Sequence, residues 1–406
     1  MTETQGARAL ASPAHIAPFL PRSDAALALA DGRVFRGRGF GAEGDAAGEV
    51  VFTTTMTGYQ EVCTDPSFRG QIVCMTFPLI GNYGVNADDD ESWQPWIAGL
   101  VVREWSDQPS NWRATGTIDS YLREAGIPGI AGIDTRALTR HIRSVGDTRA
   151  VLVRNVEGIS DADLIERARS APLPGEQDVV GQVMEAGEHV FGQEASGPHV
   201  VVLDCGVKRN IVRSLLDRGA RVTVVPYGTP YSRIEALEPD GVIVSPGPGD
   251  PANLDEGLDV VRSLLQDERP YFGICLGHQL LARAIGAETD KLKFGHRGGN
   301  QPVMDQRTGK VTITAQNHSY RVIEDSIPET GGWHVAMRNL NDGSVEGLWS
   351  ERLPVLSVQF HPEASPGPAD NGDLFDAFVE LIASRAAGHA PPAMPATASP
   401  GFGAGE

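Results

Sequence analysis

Short apolar runs alternate with helical patterns in the second half of the chain. Residues 199–204, 221–226 and 242–244 are rich in valine and isoleucine and are predicted strands. Between the first two runs, apolar residues recur at helical spacing over residues 208–218. This alternation is typical of a parallel sheet covered by helices. We therefore predict a C-terminal α/β domain with a mostly parallel open sheet and helices on both faces.

The first half of the chain has a different pattern. Short β-branched runs, such as residues 49–54 and 71–75, are separated by glycine-containing turns, and a helix is predicted over residues 135–143 after the cap Asp134. The pattern predicts a mixed, β-rich α/β domain. The predicted divisions are a disordered tail 1–24, an N-terminal domain 25–174, a linker 175–198, a C-terminal domain 199–386, and a disordered Ala-, Pro- and Gly-rich tail 387–406.

Composition excludes several classes of function. The 406 residues include 53 acidic and 34 basic side chains, and the net charge of −19 argues against binding to nucleic acid. No apolar run is long enough to cross a membrane, and the first residues lack the pattern of a secretory signal. Four cysteines in so long a chain do not make a disulfide framework, so a reducing, cytoplasmic location is expected.

The most informative stretch is 273–279, where Cys275 stands between a predicted strand and a predicted helix. Gly273 and Gly277 flank it, and residues 280–285 continue at helical spacing. A nucleophile elbow requires this arrangement, because glycines tolerate the sharp turn that presents the nucleophile. A helix that begins at the sulfur also favours the reactive thiolate. The alternative is a buried structural cysteine; the flanking glycines favour a nucleophile.

A cysteine nucleophile needs a base, and His361 is the best candidate. It follows an apolar run that begins at Val355, and Glu363 lies two residues further on. Residues two apart in an extended segment face the same side, and Pro362 favours that geometry. The three residues would form a nucleophile, a base and an orienting carboxylate. His278 lies on the new helix without such a carboxylate, so we expect a structural role for it.

Other glycine-rich segments carry weaker signals. The loop 245–251 follows a predicted buried strand and can present backbone N–H groups to an oxyanion. Residues 39–44 match a dinucleotide-binding pattern, but a strand-like segment follows them, so we predict a hairpin there. The sequence contains neither a phosphate-binding P-loop motif nor zinc-ligand spacing. We therefore expect no cofactor or metal on this chain.

The strand with its glycine loop, the cysteine elbow and the His-Pro-Glu motif together resemble the class I glutamine amidotransferase domain. Further motifs are similar to the small chain of glutamine-dependent carbamoyl phosphate synthase: residues 54–61, 64–67, 293–300, 315–318 and 361–368. The resemblance runs from about Leu27 to about Ser384. The amidotransferase motifs alone would fit several enzymes, and the N-terminal motif selects this family.

The resemblance implies that Cys275 attacks the side-chain amide of L-glutamine, while His361 moves protons and Glu363 orients it. It also implies a set of glutamine-binding residues: Thr55, Gly247, Gly249, Leu276, Gln279, Asn317, Ser319 and Tyr320. The family often has serine, glycine and phenylalanine at Thr55, Ser319 and Tyr320. If the backbone at Ser319 required a positive φ, serine would be strained there.

The resemblance further implies a partner. Ammonia would pass to a large synthetase chain that holds ATP and a divalent cation and makes carbamoyl phosphate for arginine and pyrimidine biosynthesis. The expected assembly is a heterodimer, or a higher oligomer of heterodimers, with the N-terminal domain as the docking surface and without nucleic acid or membrane.

Three alternatives stay open at this point. The chain could serve another amidotransferase, such as those of anthranilate or guanylate synthesis, although these would not need the N-terminal motif. It could hydrolyse γ-glutamyl amides alone. It could also be a catalytically silent regulatory subunit, against which the intact Cys275, His361 and Glu363 argue.

Overall fold

The computed structural model describes residues 23–389, so the two predicted tails lie almost wholly outside the described residues. The first domain is built around a closed barrel. Its strands are β1 (Ala25–Leu29), β2 (Val34–Gly41), β3 (Asp45–Thr53), β4 (Gln71–Met75), β5 (Leu79–Ile80), β6 (Gly99–Val101), β7 (Glu104–Trp105), β8 (Pro128–Ala131) and β9 (Thr148–Arg154). Its helices are α1 (Tyr59–Thr64), α2 (Ile118–Glu124), α3 (Thr135–Val145) and α4 (Asp161–Arg169).

The barrel closes in the order β1-β2-β8-β6-β4-β3-β9, and β5 pairs with β7 beside it. Every residue of β1 is buried because both of its faces are covered. Leu27 packs inside the barrel, whereas Ala26 and Ala28 pack with Leu164 and Ala168 of α4. Asp134 caps α3 as predicted, accepting a hydrogen bond from the Ala137 N–H.

The predicted hairpin at residues 39–44 is wrong. β2 and β3 follow each other closely, but β2 pairs with β1 and β8, whereas β3 pairs with β4 and β9. Closure of the barrel gives each strand other partners, which a short turn signal does not reveal. The absence of a dinucleotide-type helix after this turn agrees with the sequence analysis, because β3 follows it directly.

A short connecting segment contains α5 (Val180–Val183) and β10 (His189–Phe191), and the second domain follows. Its strands are β11 (His199–Asp204), β12 (Arg221–Pro226), β13 (Gly241–Val244), β14 (Tyr271–Ile274), β15 (Thr289–Asp305), β16 (Val311–Val322), β17 (Trp333–Asn339), β18 (Val345–Ser350) and β19 (Val355–Val358). Its helices are α6 (Arg209–Leu216), α7 (Tyr231–Ala236), α8 (Asp255–Gln266), α9 (Leu276–Ala284) and α10 (Asp373–Ala386).

These strands form one ten-stranded sheet in the order β10-β12-β11-β13-β14-β19-β18-β17-β15-β16. In this spatial order, β12, β11, β13, β14 and β19 pair in parallel. β10 pairs antiparallel with β12, and β19, β18, β17, β15 and β16 form successive antiparallel pairs. Four of the nine neighbouring pairs are parallel and five are antiparallel, so the sheet is less parallel than predicted. The apolar runs did not reveal the antiparallel part, because its long strands carry polar residues. β10 lies within residues 175–198, the predicted linker, yet it joins the sheet edge.

Helices cover both faces of the sheet, which confirms the predicted α/β fold. On one face, Val201 and Val242 pack with Val261 of α8 and Leu280 of α9. On the other, Val200, Ile243 and Phe272 pack with residues of α6 and α10. Continuous valine runs in β11 and β13 follow from burial on both faces. Within residues 23–389, none of the helices is both long and apolar enough to cross a membrane.

Buried polar contacts hold the two domains together. Asn317 of β16 donates a hydrogen bond to Asp65 at 2.9 Å. Arg297 of β15 pairs with Asp147 at 3.2 Å, and both of these side chains are buried. Because β15 and β16 also carry residues of the site described below, the barrel contributes directly to its walls.

Candidate active site

Cys275 stands at a strained turn between β14 and α9. Its backbone has a φ of +52° and a ψ of −98°, a conformation that few residues other than glycine adopt. A hydrogen bond from its N–H to the carbonyl of Val358, 2.8 Å long, fixes the turn to β19. A Cβ atom on Gly277 would lie 2.2 Å from the carbonyl oxygen of Val244. The turn therefore has the geometry of a nucleophile elbow.

His361 and Glu363 lie in the loop after β19, and a hydrogen bond of 2.6 Å joins the ring nitrogen Nδ1 to the carboxylate Oε1. The N–H of His361 donates to the carbonyl of Ala315 at 2.8 Å. The other ring nitrogen, Nε2, has no hydrogen-bond partner among residues 23–389, so it is available to the thiol and to a reacting group.

The charge of Glu363 affects the pKa of His361. Burial alone would lower the pKa of His361, but Glu363 and the nearby thiol of Cys275 raise it well above its usual range. Burial would likewise raise the pKa of Glu363, but Lys208 and His361 hold it below its ordinary value. The structure thus brings the three predicted catalytic residues together, with a carboxylate that stabilises an imidazolium.

Lys208 is a site residue that the sequence analysis missed. Its Nζ lies 3.1 Å from Oε1 of Glu363, with both side chains buried, and it also donates to the carbonyl of Ala364. Burial would lower the pKa of Lys208, but Glu363, Asp65 and Glu91 raise it. The one available signal was position, because Lys208 follows β11 at the carboxyl end of a parallel strand, where α/β sheets place their sites.

Cys275 lines a pocket between the two domains. Six of the predicted glutamine-binding residues line this pocket: Gly247, Gly249, Gln279, Asn317, Ser319 and Tyr320. Sγ of Cys275 lies 3.8 Å from the carbonyl oxygen of Asn317. Gln279 donates from its side-chain amide to the carbonyl of Tyr320 at 2.9 Å, which joins α9 to β16 across the pocket.

The other two predicted binding residues lie elsewhere. Leu276 is buried in the core and takes the first position of α9, so only its backbone N–H is suited to an oxyanion. Thr55 lines a neighbouring cavity together with His361, Asn317 and Lys208, and its hydroxyl lies 3.1 Å from that of Thr53. Asn317 lines both spaces. Thr55 therefore lies on the His361 side of the site.

Ser319 has ordinary strand geometry. It lies within β16 and is not among the residues with positive φ. Its hydroxyl accepts a hydrogen bond from the guanidinium of Arg297. The serine is therefore free of the strain that a left-handed backbone would impose.

The barrel supplies a wall of the pocket that the sequence analysis also missed. Glu49, Ser67 and Gln71 line it from the first domain, opposite Lys291 and Arg297 of β15. Lys291 pairs with Glu49 at 2.6 Å, and Gln71 donates to Glu49 at 2.8 Å. A wall that carries both signs of charge suits a zwitterionic amino acid. Ser67 belongs to the motif of residues 64–67, whereas no local motif marks Glu49 and Gln71, because barrel closure alone brings them to the pocket.

His278 lies in buried surroundings near the start of α9. Nδ1 of His278 lies 3.0 Å from the Ser357 hydroxyl, and burial lowers the pKa of this ring to about 3, in keeping with a structural role.

His296, His318 and Glu346 have ligand atoms within 4.8 Å of one another, a grouping that could hold a metal ion. The side-chain amide of Gln316 lies between them and hydrogen-bonds all three, so a metal ion would have to displace it.

An elbow cysteine beside a buried His–Glu pair, at the carboxyl edge of an α/β sheet, defines an enzyme that uses a cysteine nucleophile. In agreement, residues 201–381 match the family model described as glutamine amidotransferase class-I. Residues 27–152 match the model for the carbamoyl-phosphate synthase small chain, CPSase domain.

Known sequences narrow this class further. The chain is 51% identical to the carbamoyl phosphate synthase small chain of Symbiobacterium thermophilum, over 87% of this chain and 97% of the relative. It is 50% identical to that of Listeria monocytogenes, with coverage of 89% and 98%, and 48% identical to that of Archaeoglobus fulgidus, with coverage of 88% and 98%. The chain belongs to the carbamoyl phosphate synthase small chain family, as its sequence motifs predicted.

Proposed function

We propose that this chain hydrolyses L-glutamine to glutamate and ammonia through a γ-glutamyl thioester on Cys275. The thiolate attacks the side-chain amide carbon, and His361 gives a proton to the departing nitrogen. His361 then takes a proton from water, which attacks the thioester, releases glutamate and frees the thiol. The observation that carries this proposal is the elbow cysteine beside a histidine whose other nitrogen is bound to a buried carboxylate.

Backbone groups at the elbow suit the negative charge that develops on the amide oxygen. The Leu276 N–H is at the start of α9, next to the sulfur, and Gly247 lines the same pocket. A Cβ atom on Gly247 would lie 2.2 Å from the carbonyl oxygen of Cys205, so the loop packs closely at this point. Fixed donors of this kind stabilise a tetrahedral intermediate without reorganisation.

We infer that ammonia leaves through the cavity on the His361 side. This cavity is lined by both domains, with Thr55 and Phe68 from the barrel and Gly298 and Pro366 from the second domain. The glutamine pocket lies on the other side of Asn317, which lines both spaces. An enclosed route would keep ammonia from being protonated in water before it is used.

The recipient of this ammonia is a large synthetase chain, with which this chain forms a heterodimer. That partner would bind ATP and a divalent cation and make carbamoyl phosphate for arginine and pyrimidine biosynthesis. The names of the relatives support a synthetase partner, and one relative at 49% identity is called pyrimidine-specific. We propose the barrel domain as the docking surface and the cytoplasm as the location.

The proposal is tested with the Cys275→Ser variant in complex with the large chain. Synthesis of carbamoyl phosphate from glutamine should disappear, whereas synthesis from added ammonium salts should persist at the wild-type rate. Loss of both activities would mean that Cys275 holds the structure of the complex together. Retention of both would exclude Cys275 as the nucleophile.

A further inference from the structure

A second cavity lies beside α6, away from Cys275. Its walls come mainly from residues 92–93 of the barrel domain, residues 183–191 of the connecting segment, and residues 207–216. It shares no lining residue with the pocket at Cys275. Its volume is about 240 Å³. A dry cavity of roughly 150 Å³ is enough to hold benzene, so this α6 cavity has room for a larger ring system.

Apolar side chains form most of the surface of the α6 cavity. Val212 and Leu216 of α6 and Val224 of β12 line it, together with Trp93 and Phe191. The two aromatic residues are 46% and 41% exposed, and Trp93 packs edge-on against Trp96. Large apolar groups left exposed around a cavity mark a binding site, and aromatic rings favour a flat apolar ligand.

Side chains of both charges line the α6 cavity, and one of its cations, Arg209, is unpaired within the described part of the chain. Arg209 is exposed, and its guanidinium has no hydrogen-bond or ion-pair partner among residues 23–389. The carboxylate of Asp204 accepts three backbone N–H groups, which come from residues 185, 206 and 207. Arg213 pairs with Glu91 at 3.2 Å, and Glu185 lies 3.4 Å from His189.

We propose that the α6 cavity is a binding site for a small anion with a flat, apolar ring system. The rings would lie between the apolar residues of α6 and the aromatic pair at the rim. The anionic group, a carboxylate, sulfonate or phosphate, would pair with the guanidinium of Arg209.

The position of α6 connects this site to the catalytic residues. Val207 and Arg209 line the α6 cavity, whereas Lys208 between them lines the cavity beside His361. The Lys208 ammonium lies 3.1 Å from the Glu363 carboxylate. A ligand that displaces the first turn of α6 would therefore move the cation that holds Glu363. We infer that such a ligand lowers the rate of glutamine hydrolysis; this effect rests on the proposed function, whereas the binding itself does not.

Fluorescence titration of the full chain with 8-anilinonaphthalene-1-sulfonate tests the site. The wild type should bind the probe saturably. Leu216→Trp, which fills the cavity, and Arg209→Gln, which removes the cation, should each weaken binding by about tenfold, the loss expected for a charge-assisted contact or an occluded pocket. The Arg352→Gln variant, which removes an exposed arginine from a distant turn, is the matched control and should bind as the wild type does. Equal binding by all four proteins would overturn the proposal.

An uncharged probe separates the two parts of the proposed ligand. N-phenyl-1-naphthylamine has the same rings without the sulfonate, so it should bind the wild type more weakly. Its affinity should be the same for Arg209→Gln as for the wild type. If Arg209→Gln loses the same amount of affinity for both probes, the charge of Arg209 has no role in binding. Because Arg209 is exposed, this variant is expected to fold even if Leu216→Trp does not.

Glutamine hydrolysis by the complex with the large chain tests the connection. At a saturating concentration of the sulfonate probe, kcat should fall by about fivefold in the wild type, within the usual range of coupling between sites. The probe concentration that gives half of this fall should be about tenfold higher in Arg209→Gln. An unchanged wild-type kcat would refute the connection. If the complex hydrolyses no glutamine even without the probe, the proposed function fails, while the fluorescence titrations still decide the binding site.

Discussion

Lys208 and Glu363 form an ion pair of 3.1 Å in which both side chains are buried, and the same carboxylate oxygen hydrogen-bonds His361. The pair joins α6 to the loop after β19, two segments that are far apart in the sequence. The Asn210 side-chain amide adds a hydrogen bond to the backbone carbonyl of Glu363. The orientation of His361 therefore depends on the first turn of α6.

Replacement of Lys208 by methionine should impair both stability and catalysis. The change leaves the Glu363 carboxylate buried without its cation, which costs about 3 kcal/mol of unfolding free energy for a pair of this kind. The pKa of Glu363 should rise, so the carboxyl would orient His361 less well and kcat for glutamine hydrolysis should fall by at least about tenfold. Denaturant unfolding and steady-state kinetics measure the two effects.

The control for that variant is Lys293→Met, which removes an exposed lysine from the same chain. It should change neither quantity appreciably. A Lys208→Met protein with wild-type kcat would show that the ion pair has no part in orienting His361.

His278 should make the protein less stable in mild acid. Burial lowers its pKa to about 3 in the folded state, whereas an unfolded histidine titrates near 6.5. Below about pH 6.5 the unfolded chain binds the extra proton, so this contribution to stability falls as the pH falls towards 3. At pH 5 the loss is about 2 kcal/mol relative to pH 8.

Denaturant unfolding of the wild type and of His278→Gln at pH 5, 6.5 and 8 measures this effect. Glutamine does not titrate, so the variant should lose about 2 kcal/mol less than the wild type between pH 8 and pH 5. Parallel pH profiles for the two proteins would contradict the assignment of a buried, neutral His278.

Gly277→Ala should disrupt the elbow. The new Cβ would lie 2.2 Å from the Val244 carbonyl oxygen, so α9 and β13 would have to move apart and carry Cys275 with them. We expect a loss of about 1–3 kcal/mol in unfolding free energy and a large loss of kcat. At Gly372, whose φ is −61°, a Cβ would meet its nearest atom at 3.7 Å, so Gly372→Ala is the control and should be close to neutral. Full activity of Gly277→Ala would exclude a tightly packed elbow.

Met56 is a candidate contact with the large chain. It is 69% exposed and stands next to Thr55, which lines the cavity proposed for ammonia. A carboxylate at this position would be desolvated in an interface, so Met56→Glu should weaken association by about 2 kcal/mol, measured by calorimetry or ultracentrifugation. Trp112→Ser changes another exposed apolar residue of the barrel domain and serves for comparison. Unchanged association of Met56→Glu would place the interface elsewhere.

Periodicity and local motifs predicted the parts of the fold that depend on neighbouring residues. The valine run His199–Asp204 is a strand over the predicted range, because burial on both faces requires a continuous apolar segment. The elbow at Cys275 was visible because two glycines mark the turn. The edge strand β10 gave no such signal, since it is short and Val190 and Phe191 are exposed.

Long-range contacts explain what the sequence did not predict. Glu49 and Gln71 reach the pocket only through the closure of the barrel, and nothing near them in the chain indicates chemistry. Lys208 looks like an ordinary residue at the start of a helix, and only the position of Glu363 gives it a function. The pairing of β2 and β3 with other strands likewise depends on the whole barrel.

The central claim is that Cys275 carries a γ-glutamyl thioester during turnover. The direct measurement is acid quenching of the complex with radiolabelled glutamine, followed by isolation of the labelled peptide. We predict label on the peptide that contains Cys275, its release by hydroxylamine, and its absence from Cys275→Ser. Label that persists in Cys275→Ser, or an actively hydrolysing wild type that never holds label even with rapid quenching, would contradict this account.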